Sequence, residues 1–182
     1  MNGRSEKPFP SPERTAAVLA VSPLPAERVR LREILAQGNW KLHEATDCSE
    51  ALALLRQQSV PVLFCERDHA DGNWEDLLNA TAALPAPPSL IVFSRLADES
   101  LWAEVLNLGG FDLLMTPFEP EEVLRVTFAA WSHWECNVVA STAQKKGGLR
   151  TAQSYPPENT RVDAGRKVVQ PSAGEVAVSP GC

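Results

Sequence analysis

The sequence predicts an α/β domain with a doubly wound, five-stranded parallel sheet and helices on both faces. Short continuous apolar runs, typical of strands buried on both faces of a parallel sheet, alternate with segments of helical period. Five such pairs fit between residues 16 and 132, and parallel strands require crossover connections of the kind that these helices provide. In such a sheet the functional crevice lies beyond the carboxyl ends of the strands.

The first two strand–helix units are marked by the residues at their boundaries. Ala16–Val21 is an apolar run, and Pro25 fits the first turn of the helix that follows, which Gly38 ends. Trp40–Ala45 alternates weakly between apolar and polar residues, which predicts an edge strand. Asp47 is a suitable N-cap for the second helix.

The other three units have the same order, with glycine and proline at several boundaries. Gly109 and Gly110 end the fourth helix, and Pro120 opens the last one. The predicted strands cover residues 60–65, 89–93 and 112–115, and the predicted helices cover 74–83, 98–108 and a segment that starts at residue 120.

The two ends of the chain differ in composition from this core. Every tryptophan and phenylalanine lies at or before Trp134, and Tyr155 is the only aromatic residue after it. A segment rich in Ser, Pro and Gly buries too little apolar surface to offset the entropy lost on ordering. We therefore predict a flexible arm over residues 1–15, a single domain over 16–134 and a disordered tail over 135–182, with no effector domain in that tail.

Charge, cysteine spacing and hydropathy exclude several function classes. The net charge is −6, divided into −9 for residues 1–136 and +3 for 137–182. An acidic domain disfavours a nucleic-acid partner, and the four cysteines lack metal-site spacing. No run approaches the roughly 18 apolar residues of a spanning helix, and the first residues lack the apolar core of a signal peptide. The expectation is a cytoplasmic protein without a membrane partner.

Several short sequences at the predicted loops resemble the response-regulator receiver family, and the likeness covers residues 16–132. Thr116-Pro117-Phe118 resembles the family's Lys-Pro-Phe after the fifth strand. Ser94 stands at the end of the fourth strand, where the family has Thr or Ser. Three longer stretches also resemble the family: residues 18–25 its opening strand and acidic turn, residues 66–72 its phosphoacceptor loop, and residues 109–112 its Gly-Ala-Asp-Asp.

The departures from the family pattern concern its phosphorylation chemistry. The resemblance places Ser22 and Pro23 where the family has the acidic pair that holds magnesium, and Glu66 where it has the phosphoacceptor aspartate. Thr116 replaces the lysine that balances the charge of the phosphate. Because a hard cation needs about six oxygen ligands, Mg²⁺ binding is expected to be weak or absent, and no cofactor is expected.

Two further positions correspond to the family's conformational switch. Ser94 retains the hydroxyl, whereas Leu113 replaces the aromatic residue of the fifth strand. An aliphatic side chain has no polar tip with which to alternate between an inward and an outward position. Arg67 and Arg95 are candidates for a substitute cation near Glu66.

These residues predict a degenerate, single-domain response regulator that acts by protein–protein interaction, without aspartyl phosphorylation and without enzymatic activity. One alternative retains phosphotransfer, with Glu66, Asp68 or Asp71 as the acceptor. Another is a small doubly wound domain that binds a ligand or catalyses a reaction in the same crevice. Both lack support from the sequence, which has neither a Gly-rich phosphate loop nor a paired acid and base.

Three tryptophans are candidates for a protein interface. Receivers commonly use the face made by the fourth helix, fifth strand and fifth helix, and Trp102, Trp131 and Trp134 fall on or near it. Buried aromatic anchors are frequent interface hot spots. The alternative is that Trp131 belongs to the core and Trp134 packs against it. The resemblance implies a histidine kinase, another regulator or a second copy of the chain as partner, and nearby acids favour a basic patch on it.

Overall fold

The computed structural model describes residues 12–69 and 71–148. Its main sheet has five parallel strands, which are β1 (Ala16–Val21), β2 (Trp40–Ala45), β3 (Val62–Glu66), β6 (Ser89–Ser94) and β7 (Asp112–Met115). A small antiparallel hairpin between β3 and β6 contributes β4 (Asp68–His69) and β5 (Gly72–Asn73). The order of the strands in the main sheet is β2-β1-β3-β6-β7.

Five helices cover the two faces of this sheet. They are α1 (Pro25–Leu35), α2 (Cys48–Gln57), α3 (Trp74–Thr81), α4 (Glu99–Leu108) and α5 (Pro120–Gly148). Alternate strand residues point to opposite faces, so Val18 and Ala20 pack with α1 and α5, whereas Leu19 and Val21 pack with α2, α3 and α4. The strands between the edges are therefore apolar on both sides, and the sheet has two separate cores.

Local hydrogen bonds fix the ends of the helices. The Asp47 carboxylate accepts from the Glu50 amide at the start of α2, and the Asp98 carboxylate accepts from the Leu101 amide at the start of α4. Gly109 ends α4 with a φ of 103°, a left-handed conformation that glycine adopts without steric cost. These caps define where α2 begins and where α4 begins and ends.

The predicted fold class and the order of its elements are confirmed. Two features were missed: the β4–β5 hairpin, and the position of β3, which begins and ends later than the predicted 60–65. The boundary of the predicted tail was wrong, because α5 continues through residues 135–148 and this part alone spans roughly 20 Å. The rest of that tail, and most of the predicted arm over 1–15, lie outside the described residues.

No helix in residues 12–69 or 71–148 is both long and apolar enough to cross a membrane. The longest helix, α5, carries charged side chains from its first turn onward.

Candidate functional site

Four of the predicted site residues meet at the carboxyl edge of the sheet. Ser22 follows β1, and its amide donates to the Ala45 carbonyl. Glu66 ends β3 beside β6, and Ser94 ends β6 beside β7, where its carbonyl accepts from the amide of Thr116 at 3.1 Å. The parallel register therefore brings residues far apart in sequence to one edge.

A serine hydroxyl lies between two carboxyl groups at this edge. Ser22 Oγ is 2.9 Å from Glu27 Oε2 and 2.8 Å from Glu66 Oε2. A hydroxyl has one proton and donates to one acceptor at a time, so the arrangement is fully hydrogen-bonded only when one carboxyl carries a proton. Ser22 is fully buried and Glu27 nearly so.

Burial raises the pKa of the Glu27 carboxyl above its usual range. The negative charge of Glu66 acts in the same direction, whereas the hydrogen bond from Ser22 and the guanidinium of Arg95 oppose it. Stability supplied by this group is consequently greatest when it is protonated, and it is lost as pH rises through the pKa of the folded state.

Sequence reasoning missed Glu27. An acidic residue in the first turn of a helix after Pro25 is ordinarily explained by the positive end of the helix dipole. The sequence signal for another role of Glu27 is its position five residues after Ser22. That spacing does not show that the Glu27 side chain is buried. The contact with Glu66 in a different strand depends on the tertiary fold.

Two arginines contact this cluster. Arg95 Nε lies 3.8 Å from Glu27 Oε1, and Arg28 donates to the Ser22 carbonyl while its Nε lies 3.5 Å from Glu44 Oε2. Of the two predicted substitute cations, Arg95 therefore reaches the cluster, whereas Arg67 forms a salt bridge with the exposed Asp68 at 3.7 Å.

Comparisons with known proteins agree with this geometry at the level of fold. No protein-family model and no curated protein sequence matches the chain. A chemotaxis response regulator of Vibrio cholerae, CheY4, is 20% identical over 64% of this chain and 98% of its own, with a TM-score of 0.58. The signal receiver domain of an HD domain-containing protein from Pseudomonas fluorescens is 23% identical over 71% and 96%, with a TM-score of 0.62.

A response-regulator receiver domain from Clostridium thermocellum also has a similar structure. It is 14% identical over 66% of this chain and 98% of its own, with a TM-score of 0.60. The fold is that of a response-regulator receiver domain. At these identities the likeness concerns the receiver fold, and the roles of single residues depend on the geometry of this chain.

The edge of this receiver fold lacks the donor set that a magnesium ion requires. Within the described residues no three His, Cys, Asp or Glu side chains are grouped for a metal. Glu27 and Glu66 share the Ser22 hydroxyl, and Arg95 already lies beside Glu27. A hard cation prefers about six oxygens and would have to compete with the Ser22 hydroxyl and with the Arg95 guanidinium for these carboxyl groups. The residues present therefore do not fit the ion.

The remaining receiver positions have local roles. The Ser94 hydroxyl accepts from the Leu96 amide at 3.1 Å, and Leu113 is half-buried against the core beneath α2, α3 and α4. Pro23 is exposed. Thr116 is 8% exposed, and its buried Oγ1 has no hydrogen-bond partner.

The two aspartates of the loop after β3 differ from each other. Asp71 accepts from the amides of Cys48 and Ser49 at 3.2 and 3.1 Å, so it binds the first turn of α2. Burial acts to raise the pKa of Asp71, but these amide hydrogen bonds outweigh it, and the pKa is lowered. Asp68 is exposed beside Arg67. His69 is half-buried, with Nε2 3.2 Å from Cys65 Sγ.

The three tryptophans do not share one surface, which corrects the predicted interface. Trp102 is 49% exposed on α4, and its Nε1 donates to Asp112 on β7. Trp131 packs edge-on against Trp40 with ring centroids 6.3 Å apart, as part of the core beneath α1 and α5. Trp134 lines the grooves at the opposite edge of the sheet, and its buried Nε1 has no hydrogen-bond partner.

Proposed function

We propose that this chain is a degenerate response regulator that acts by binding a protein and is not an aspartyl phosphoprotein or an enzyme. The observation that carries the proposal is the Ser22 hydroxyl held between Glu27 and Glu66. In the receiver fold this edge is the functional crevice. Here Glu27 and Glu66 share one hydroxyl, so neither of these two acids is a free carboxylate.

Transfer of a phosphoryl group needs a free carboxylate nucleophile, a cation to screen its oxygens and donors for the developing charge. Glu66 Oε2 already accepts a hydrogen bond, and Glu27 adds a second acid next to it. The negative charge of this pair of acids opposes the approach of a phosphate anion. Asp71 is engaged with the start of α2, which argues against it as an acceptor.

The surface best suited to a protein partner lies between α4 and β7. Trp102 and Met115 are about half exposed there. They line a shallow groove with the acidic residues Asp98, Glu99 and Glu122. An exposed aromatic anchor with an acidic rim favours a partner that presents an apolar side chain within a basic patch. A histidine kinase, another regulator or a second copy of the chain are the classes that we expect.

The first test is incubation with Mg²⁺ and acetyl phosphate, followed by intact mass measurement and tryptophan fluorescence. We expect no covalent adduct and no spectral change, while a phosphorylatable receiver treated in parallel gains one phosphoryl group. An adduct that disappears in the Glu66→Gln or Asp68→Asn variant would overturn the proposal and support the phosphorylatable alternative.

The second test concerns the contact surface. A partner captured with the full chain is titrated against Trp102→Ala and against Leu108→Ala, which is similarly exposed on α4 but does not line the groove. We expect the tryptophan variant to lose at least about tenfold in affinity and the leucine variant to bind normally. The Glu66→Gln variant should also bind normally. Equal effects of both α4 substitutions would contradict this surface.

A further inference from the structure

A wide groove lies at the amino edge of the sheet, where the strands begin. The residues just before and at the start of β1, the residues before β3 and one face of α5 line it. Its volume is about 1010 Å³, which is at the upper end of the size range of small-molecule sites. Ser22, Glu27 and Glu66 do not line it, and it shares no lining residue with the α4–β7 groove.

Three aromatic side chains of α5 form one wall of this groove. Phe128, Trp131 and Trp134 line it, and all three are half-buried, so part of each side chain remains accessible. Glu135 follows Trp131 by four residues and Phe128 by seven, a spacing that places these three side chains on one face of a helix. The same helix face therefore supplies both aromatic rings and a carboxylate.

Contacts with the core hold this wall in place. Trp131 packs edge-on against Trp40 with ring centroids 6.3 Å apart, and its ring lies 5.5 Å from that of Phe128. Side chains that are already ordered lose little conformational entropy when a ligand binds. The aromatic wall is therefore preorganised.

The charged side chains of the groove are exposed and mostly acidic. Glu13, Arg14 and Glu135 line it and are all exposed. Within residues 12–69 and 71–148, none of these three side chains is part of an ion pair. Two acids and one arginine give the lining a formal charge of −1. The two carboxylates are accessible, and a ligand can approach them.

This combination specifies the chemical class of the ligand. The acids repel an anion, and a neutral apolar molecule gains nothing from their charge. A small metal ion is strongly hydrated and gains little from the rings. An ammonium ion that carries methyl groups can bury them against the rings and is attracted both by the ring faces and by the carboxylates.

We propose that this groove reversibly binds a small organic cation with a methylated ammonium group. The methyl groups lie against Trp131 and Trp134, and the charge lies near Glu13 and Glu135. The accessible ring surface of Trp134 makes the contact, whereas its buried Nε1 takes no part. The proposal goes beyond the proposed function and does not depend on the absence of phosphotransfer or on the α4–β7 surface.

The test uses the full chain and three probes: choline, benzyltrimethylammonium and the neutral carbon analogue of choline, in which a tert-butyl group replaces the trimethylammonium group. Titration calorimetry and indole N–H chemical shifts are recorded at pH 7.5. We expect saturable binding of both cations at millimolar concentration, with shifts at Trp131 and Trp134 and none at Trp102. The carbon analogue should not bind, and added salt should weaken the binding of both cations.

Variants separate a built site from general attraction of cations. Trp134→Leu removes a ring and Glu135→Gln removes a charge, and each should weaken binding about fivefold. Glu121→Gln removes the same charge from an exposed position on α5 outside the groove and should change binding less than twofold. Arg14→Gln should strengthen binding about twofold, because it removes a like charge. If Trp134→Leu fails to fold, Trp134→Phe retains a ring and should bind within about threefold of the parent.

Four results would overturn this proposal. The first is the absence of saturable binding by both cations, and the second is equal binding of choline and its carbon analogue. The third is an equal loss of affinity in Glu135→Gln and Glu121→Gln, which would mean that only net charge matters. The fourth is a larger loss in Trp102→Leu than in Trp134→Leu, which would place the cation in the α4–β7 groove. None of these results bears on the acetyl phosphate experiment, so the two proposals can fail separately.

Discussion

The replacement of Ser22 by alanine offers a direct measurement of the bridge between Glu27 and Glu66. Ser94 provides a matched control, because both serines are at least nine-tenths buried and both hydroxyls accept from an amide two residues later at 3.1 Å. Only the Ser22 hydroxyl also donates to carboxyl groups. The difference between the free energies of unfolding of Ser22→Ala and Ser94→Ala therefore measures the hydrogen bond that Ser22 donates.

The expected magnitude follows from the bonds that each variant loses. Loss of a neutral hydrogen bond costs about 1 kcal/mol, and one to a charged group costs about 1.5–3 kcal/mol. Ser94→Ala should thus lower the free energy of unfolding by about 1 kcal/mol. Ser22→Ala loses a similar bond and, because a hydroxyl donates once, one charge-assisted bond in addition. Its excess cost should be about 2 kcal/mol.

The excess cost of Ser22→Ala over Ser94→Ala should depend on pH. The hydrogen bond from Ser22 lowers the pKa of Glu27, which burial and Glu66 raise, so its removal raises this pKa further. A carboxyl with a raised pKa loses stability as pH rises through the folded value. The excess cost of Ser22→Ala is therefore largest at neutral pH and declines as pH falls and Glu27 is protonated in both proteins.

Urea unfolding followed by tryptophan fluorescence at pH 7.5 and at pH 4 measures both quantities. Equal costs for the two serine variants at pH 7.5 would refute the bridge. An excess cost that is the same at both pH values would show that the carboxyl groups are not what the hydroxyl stabilises.

Three other predictions concern titratable groups. Glu27→Gln should raise the free energy of unfolding by about 1 kcal/mol at neutral pH, because it removes repulsion from Glu66. This stabilisation should vanish as pH falls below 4.5, the ordinary pKa of the group. Urea titrations in which the stabilisation does not depend on pH would contradict the shared proton. Asp71→Ala should lower the free energy of unfolding by about 1 kcal/mol, because it removes the hydrogen bonds from the Cys48 and Ser49 amides at the start of α2. The Asp71 contribution should decline as pH falls through its lowered pKa, whereas Asp68→Ala should change the melting temperature little. In a Cys136→Ser, Cys182→Ser background, Cys48 and Cys65 should react with a disulfide reagent at pH 8 only after unfolding, because burial raises the pKa of the Cys48 thiol to about 11 and that of Cys65 well above its usual value.

The positions at the sheet edge could be predicted because they depend on strand order alone. Four of the site residues follow or end an apolar run, namely Ser22, Glu66, Ser94 and Thr116. Parallel strands bring such residues to the same edge of the sheet. Glu27 could not be predicted in the same way. Its burial depends on how α1 lies over the end of β1, which no local pattern records.

The sequence pattern also did not predict the length of α5 or the location of its tryptophans. The tail boundary was placed where aromatic residues end, but a helix continues on backbone hydrogen bonds without a sustained apolar face. Trp131 and Trp134 were assigned to the α4–β7 face by their nearness to it in the expected fold. The contact of Trp131 with Trp40 depends on the pairing of β2 at the sheet edge.

Strand β6 has a side-chain contact at each of its ends. At its first residue, the Ser89 hydroxyl donates to the Ala130 carbonyl of α5 at 3.0 Å. Just beyond its last residue, Arg95 reaches Glu27. All six residues of the strand are buried and pair with neighbouring strands, and the strand is roughly 20 Å long. One strand therefore sets the distance between the place where α5 is held and the place where Arg95 meets α1.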